Sequence, residues 1–293
     1  AIPSAELSAP IGRVVRLPSG LIAMIPDDDP IDIPVFEPGS TPGAARIRPV
    51  ALAAPLSGEV SSLADGLLIP TRDGQVFLID PGTGEEIAKP FQPQLEAGRK
   101  YRWSRPATIG DDQFVIADDG GGLYRAIVKA EPEKHLAEAA SVRLDDPITS
   151  PIAVLGDHVY AVDRADSLIR VDQSRLTDKT LHPLGAKCVL GPVTIGEHIL
   201  LVTNDDLMHV IDSSGKIRID GLPYGRPLGE PLVDGGHWLF ATAAGVVWRV
   251  DPTTGEELAM KETELALGSS LALVRGSLMV AGHDGTLYLI EKP

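Results

Sequence analysis

The feature that most constrains this chain is a strand–turn–strand pattern in residues 66–86, GLLIPTRDGQVFLIDPGTGEE, that returns along the sequence. An apolar run reaches Asp73-Gly74, a second apolar run follows, and Asp80 opens a Pro-Gly-Thr-Gly turn. Asp-Gly tolerates the positive φ of hairpin turns, so the pattern predicts two antiparallel strands. The same pattern appears near the end of the chain in residues 277–291, SLMVAGHDGTLYLIE.

Seven copies of this pattern align without a gap, each with its first strand starting 14 residues before an anchor that follows the second strand. The anchors are Pro26, Asp80, Ile127, Asp172, Asp212, Asp251 and Glu291. A shorter lead-in segment precedes each strand pair and a fourth strand follows it, which is typical of propeller blades. The sequence therefore predicts an all-β, single-domain chain (residues 1–293), a seven-bladed β-propeller of four-stranded antiparallel blades. The N-terminal strand, residues 1–7, is expected to complete the last blade and close the ring.

Two insertions interrupt the repeat. Residues 26–49 contain six prolines and are predicted to form an extended loop, because proline at that density disfavours helix and central strand. Residues 131–140, EPEKHLAEAA, are predicted to form one or two helical turns.

Composition excludes several classes of function. The formal net charge of −15 argues against nucleic acid and anionic membrane surfaces as partners. Cys188 is the single cysteine, so neither an internal disulfide nor a cysteine-based metal site is expected. No apolar run approaches the roughly 18 residues of a membrane helix, so no membrane insertion is expected. Because the chain starts at Ala1, we expect either a processed protein or a piece of a longer one.

Three motifs invite a ligand and are interpreted as structural. His158, His198 and His237 share one repeat position, and equivalent positions in different blades lie too far apart for one zinc ion. The acidic run at residues 27–29 with Asp32 has no glycine-punctuated calcium spacing. The three glycines at residues 120–122 open a strand rather than the helix of a phosphate site. The aspartates among the anchors are predicted to bond nearby backbone N–H groups.

The repeats resemble the PQQ-like, quinoprotein-type propeller repeat. This resemblance rests on Asp73-Gly74, Asp80 with Thr83-Gly84, Asp251 with Thr254-Gly255, Asp284-Gly285, and Trp103 at the position of the family's fourth-strand tryptophan. The quinone-dependent members imply an adjacent cysteine pair, which this chain lacks, so the resemblance is to a non-catalytic member with no cofactor. It also implies an extracytoplasmic (periplasmic or secreted) setting.

No catalytic spacing appears, so we expect a non-enzymatic scaffold that binds a protein or peptide partner on the face around the central channel. An enzyme (lyase or hydrolase) or a small-ligand sensor, with a site built from several blades, is the alternative. The predicted partner-binding residues follow the first hairpin strand or belong to the lead-in segments: Arg72, Asp73, Trp103, Arg105, Asp119, Arg164, Asn204 and His283. Arg72, Arg105 and Arg164 are predicted to anchor a carboxylate or an acidic peptide. The alternative is that these arginines pair with Asp73, Asp118 and Asp163.

Overall fold

The computed structural model describes residues 10–27, 31–39, 46–94 and 98–293, and in these residues all regular structure is β. The part of the chain it describes contains no helix long and apolar enough to cross a membrane. The chain forms two compact units. The first runs to Ala165 and includes Ile169–Leu181, and the second comprises Asp166–Leu168 and His182–Pro293. The prediction of one domain over the whole chain stays a prediction.

The first unit contains two complete sheets and most of a third. The first sheet is β1 (Ile11–Arg16), β2 (Ile22–Pro26), β3 (Asp32–Glu37) and β4 (Arg46–Ala51). The second has eight strands: β5 (Ser61–Leu63), β6 (Gly66–Pro70), β7 (Val76–Ile79), β8 (Glu86–Phe91), β9 (Ala107–Ile109), β10 (Gln113–Ala117), β11 (Gly122–Lys129) and β12 (His135–Arg143). The third is β13 (Ala153–Leu155), β14 (His158–Val162), β15 (Ser167–Asp172) and β16 (Thr180–Pro183).

The second unit contains three further sheets. They are β17 (Cys188–Ile195), β18 (His198–Thr203), β19 (Leu207–Asp212) and β20 (Ile217–Gly221); then β21 (Leu232–Asp234), β22 (His237–Ala241), β23 (Val246–Val250) and β24 (Glu257–Glu262); and finally β25 (Ala272–Val274), β26 (Ser277–Ala281) and β27 (Leu287–Ile290). Within each sheet the strands of one repeat pair antiparallel in chain order.

The prediction of seven four-stranded blades is wrong. The described residues form five separate sheets of three or four strands and one eight-stranded sheet. The second and third repeats are joined edge to edge, because β8 and β12 pair in parallel at Lys89 and His135. The Lys89 N–H donates to the Lys134 carbonyl across this junction at 2.9 Å. The last sheet has three described strands, and residues 1–7, predicted to supply its fourth, lie outside the described residues.

Both insertions also differ from their predictions. Part of the proline-rich insertion forms β3 and β4, with Pro34 directly opposite Pro49. Antiparallel strands alternate between hydrogen-bonded and non-hydrogen-bonded residue pairs. Because proline has no N–H, two prolines can face each other only at a non-hydrogen-bonded pair, where no bond between the strands is lost. The nitrogen of Pro34 then faces β2, and the β2–β3 ladder indeed stops after Ala23↔Val35. Residues 135–140, predicted as helical, belong to β12 because β11 provides a long antiparallel partner.

Hydrophobic side chains are buried on both faces of the inner strands. Leu67 and Ile69 of β6 pack against the first sheet, whereas Leu68 packs with Phe114 and Ile116 of β10. The same alternation continues in β10, whose Val115 and Ala117 pack against β14 and β15. Sheets covered on both faces explain why these strands read as nearly continuous apolar runs.

The aspartate anchors close the turns that follow the second hairpin strands. Oδ1 of Asp80 accepts the N–H of Gly82 at 2.7 Å, and Oδ1 of Asp251 accepts that of Thr253 at 2.7 Å. Asp172 and Asp212 each accept the N–H and hydroxyl of the serine two residues later. The predicted structural role of these aspartates is confirmed. Glu291 differs, because it pairs with Lys261.

Acid should weaken these turns. The hydroxyls of Ser174 and Ser214 and the N–H of Thr253 hold the pKa values of Asp172, Asp212 and Asp251 below the ordinary range. A carboxylate whose pKa is lower in the folded state contributes stability above its unfolded pKa of about 3.9, and loses it as pH falls through the folded value. We expect the free energy of unfolding, measured in urea, to fall below about pH 4. The triple variant D172N/D212N/D251N should show a smaller fall, and an unchanged pH dependence would contradict this assignment.

Candidate functional site

Five of the predicted site residues occupy equivalent positions in the second, third, fourth, fifth and seventh repeats. Each is the first or second residue of the turn after the first hairpin strand. Its backbone N–H donates to a carbonyl of the lead-in segment, which is the stretch directly before the first strand of that repeat. The pairs are Arg72 to Pro55, Asp119 to Arg102, Arg164 to Pro147, Asn204 to Lys187 and His283 to Ala266, at 2.8–3.0 Å. Arg72, Asp119 and Arg164 belong to the first unit, and Asn204 and His283 to the second.

The geometry of these turns follows from the local sequence. In the hairpin of β6 and β7, Thr71 N–H bonds the Gln75 carbonyl at 2.9 Å and Gly74 has a φ of 91°. Glycine accepts this left-handed conformation without steric cost. The lead-in residue Leu56 forms an isolated bridge with Thr71, and Trp103 forms the matching bridge with Asp118. The turn residues are therefore held by backbone bonds on both sides.

Trp103 is a packing residue rather than an exposed contact. Its side chain is buried, and its indole Nε1–H donates to the Thr71 carbonyl at 3.1 Å. Its ring stacks on Tyr101 with centroids 5.6 Å apart and contacts Tyr124 edge-on at 6.0 Å. The backbone N–H of Tyr101 donates to the Arg72 carbonyl at 3.0 Å. Trp103 thus ties the residue 98–105 segment to the turn that carries Arg72.

The buried carboxylate of Asp118 organises the next turn. It accepts the Tyr124 hydroxyl at 2.9 Å, the Gly120 N–H at 2.6 Å and the Arg99 guanidinium at 3.0 Å. Burial, followed by the bond to Asp118, raises the pKa of Tyr124. Arg99 also bonds Asp119 at 2.8 Å and lies 4.4 Å from the Tyr101 ring centre. Arg99 therefore compensates one of the two negative charges of this turn.

The three glycines of this turn are closely packed against neighbouring groups. A Cβ at Gly122 would overlap the Tyr124 hydroxyl, and one at Gly120 would overlap the Arg99 guanidinium. Gly121 has a φ of 89°, and a Cβ there would lie 2.9 Å from the Leu144 carbonyl oxygen. These contacts agree with the structural interpretation of the three glycines.

Four of the basic residues near these turns form no salt bridge with another described residue. No salt bridge of Lys100, Arg102, Arg105 or Arg164 is found within the described part of the chain. We call these four residues the basic turn surface. Lys100, Arg102 and Arg164 are exposed, and Arg105 is half-buried.

The carboxylates expected to neutralise the arginines have other partners. Asp73 accepts the Thr71 hydroxyl at 2.6 Å within its own turn, and Asp163 accepts the Ala165 N–H at 2.9 Å. Asp118 is bonded by Arg99. The alternative of pairing with Asp73, Asp118 and Asp163 therefore does not hold for Arg105 or Arg164 in the described residues.

Sequence reasoning missed Lys100, Arg102 and the role of Arg99. The signal was present, because residues 99–105, RKYRWSR, contain four basic side chains in a chain of net charge −15. The repeated turn pattern predicts the hairpins, but it does not indicate that residues 98–105 lie against them.

The remaining ligand motifs bring no set of metal ligands together. His158 bonds Arg170 at 2.7 Å, and His198 contacts the Trp238 ring edge-on. In the described residues no three side chains of His, Cys, Asp or Glu are placed to hold a metal ion. Asp28 and Asp29 of the acidic run lie outside the described residues.

Comparison with known proteins defines the class of fold. No family model and no curated protein matches the sequence. Among solved structures, BamB from Moraxella catarrhalis matches at 16% identity with a TM-score of 0.62, over 95% of this chain and 82% of that one. BBS1N in complex with ARL6DN matches at 14% and 0.63, over 96% and 93%. Apo AztD from Citrobacter koseri matches at 15% and 0.64, over 92% and 76%.

These likenesses establish the fold and nothing finer. The chain has an all-β propeller fold, as the repeats predicted, although the number of separate blades differs from the prediction.

Substitution of Trp103 tests its packing role. Trp103→Phe removes the bond to Thr71 and is expected to lower the free energy of unfolding by about 1 kcal/mol. Trp103→Ala also leaves a cavity and is expected to cost about 3–5 kcal/mol. Urea denaturation followed by circular dichroism measures both values. A Trp103→Ala variant as stable as the parent protein would show that this ring is not a packing element.

Proposed function

We propose that this protein is a non-enzymatic interaction module of the PQQ-like propeller type, acting outside the cytoplasm, that binds an acidic segment of a protein or peptide partner. The basic turn surface provides the main contacts. Arg72, Asp73 and Asp119 lie in the adjoining turns of the same unit and contribute to its rim. Asn204 and His283 occupy the equivalent turns of the second unit and are proposed as further partner contacts.

The observation that supports this proposal is a set of four cations on an acidic chain that form no salt bridge within the described residues. Arg105 and Arg164 form no salt bridge within the described residues, and the Asp118 carboxylate is bonded by Arg99, so both arginines are available to a ligand. Arginine binds carboxylates through two parallel N–H donors, which gives both strength and orientation. An acidic protein segment is the ligand that matches this chemistry.

The rigidity of the surface supports binding rather than incidental charge. The N–H of Arg164 is bonded to the Pro147 carbonyl, and the residue 98–105 segment is bonded at both Tyr101 and Arg102. A surface ordered before binding loses less conformational entropy when the partner arrives. The structurally similar BBS1N was crystallised with ARL6DN, which supports a protein as the partner of a propeller of this fold.

The extracytoplasmic setting and the PQQ-like assignment rest on the repeats themselves. The Asp-x-x-Thr-Gly turns at Asp80 and Asp251 have matching hydrogen bonds from the residues two and three positions later. Such turns support kinship with PQQ-like repeats, from which the setting is inferred.

A double variant tests the proposal. Arg105→Ala/Arg164→Ala is expected to weaken binding of a fluorescently labelled glutamate-rich peptide by about tenfold or more, since it removes two charge-assisted contacts. Fluorescence anisotropy at low and at physiological salt measures the affinity. Thermal unfolding verifies that the variant remains folded.

The matched control is Lys134→Ala/Arg175→Ala. It removes the same charge from exposed residues in turns at the other ends of the strands of the same two sheets. This control should bind like the parent protein. Equal weakening by both double variants would mean diffuse attraction, and no binding of the acidic peptide by the parent protein would contradict the proposal.

A further inference from the structure

A cleft in the second unit offers a site of different chemistry from the basic turn surface. It has a volume of about 320 Å³ and lies between the sheet of β17–β20 and the sheet of β21–β24. Its lining includes Met208, Asp220, Trp248, Val250 and Glu257. This volume is at the lower end of the range for small-molecule sites, about 300–1,000 Å³. It suits a short aliphatic ligand better than a polycyclic one.

The apolar part of the cleft is ordered. Met208, Trp248 and Val250 are each at least 95% buried. The Trp248 ring stacks on Phe240 with centroids 4.9 Å apart, and the Tyr224 ring lies tilted against Trp248 with centroids 5.7 Å apart. An apolar surface of this kind can bind an alkyl stem because contact removes both from water. The methylene stems of lysine and arginine side chains lie on apolar surfaces for the same reason.

The polar part of the cleft is negative. Both oxygens of Glu257 accept the Tyr224 hydroxyl at 2.9 Å, a neutral donor that fixes the carboxylate without compensating its charge. Asp220 is neutralised by Arg218, whose Nε donates to Oδ2 at 2.7 Å. The bond to Glu257, reinforced by burial and by the charges of Glu257 and Glu262, raises the pKa of Tyr224. Lys261 on the same strand is paired with Glu291.

We propose that this cleft binds a small organic cation, an ammonium or guanidinium group on a short unbranched alkyl stem. The stem lies on Met208, Trp248 and Val250, and the head group bonds Glu257. The charge of −15 on the whole chain raises the local concentration of such ligands. This site goes beyond the proposed partner binding, since it lies in the other unit and selects the opposite charge.

Pentylamine and butylguanidine are the probes, and the Met208 methyl resonance is the readout. The chain has four methionines, so their methyl signals in isotope-labelled protein can be assigned by substitution. For ligands of so few atoms we expect dissociation constants on the order of millimolar. Either cation should shift the Met208 signal, and pentanol, which has the same stem without the charge, should shift it much less. A shift of equal size with pentanol, or no shift with either cation, would overturn the proposal.

Two variants that remove the same charge locate the head group. Glu257→Gln is expected to weaken binding of pentylamine about tenfold. Glu256→Gln, at the adjacent exposed carboxylate outside the cleft lining, should bind like the parent protein. Equal weakening by both variants would indicate diffuse attraction and would overturn the site.

A lysine side chain of a partner protein has the same chemistry as pentylamine. The tripeptide Gly-Lys-Gly separates these two sources. Binding of the free amine at least as tightly as the tripeptide supports a small-molecule ligand. Binding of the tripeptide alone would overturn the small-molecule proposal in favour of a partner's side chain.

Discussion

Burial of the inner strands on both faces is the constraint on which the rest of this structure depends. Leu67, Leu68 and Ile69 are consecutive and all buried, so β6 cannot satisfy its side chains with one neighbouring sheet. Leu67 and Ile69 pack against the first sheet, and Leu68 packs on the opposite face against β10. A blade of this kind has no independent stability in water, and each repeat needs the next to cover its exposed face. The polar turns are the part of each repeat left free to vary.

The turns are therefore rigid for reasons unrelated to their chemistry. A lead-in carbonyl accepts the N–H of the variable turn residue in five repeats, whether the residue is Arg72, Asp119 or His283. This N–H···O=C hydrogen bond does not involve the side chain, so the side chain can change while the turn is kept. Repetition thus produces one ordered turn position in each of these repeats, and we propose that binding depends on which of them carry a charge without an ion-pair partner.

The hairpins could be predicted from the sequence because their signals are local. Asp73-Gly74 and the apolar runs on both sides specify β6 and β7 with no knowledge of the rest of the chain. The blade count could not be predicted, because the pairing of β8 with β12 joins edges more than 40 residues apart and leaves no local pattern. Residues 135–140 have a composition that favours helix, and pairing with β11 overrides it. The proline-rich strands depend on the registration of Pro34 with Pro49, which composition does not reveal.

The sequence could predict that Arg105 and Arg164 lie near the turns, but it could not predict which cations pair with the nearby carboxylates. The repeat placed Arg105 and Arg164 near the turns, but whether they are neutralised depends on which cation reaches Asp118. Arg99 forms the ion pair with Asp118, and no sequence motif marks the segment of Arg99 as part of this turn. At physiological ionic strength charges are screened beyond about 8 Å, so net charge and local charge act separately. At low ionic strength the net charge of −15 opposes the approach of the proposed acidic partner, and short contacts with Arg105 and Arg164 must outweigh it. For the cation proposed to bind Glu257, the net charge and the local charge both favour binding, so a weaker contact is needed there.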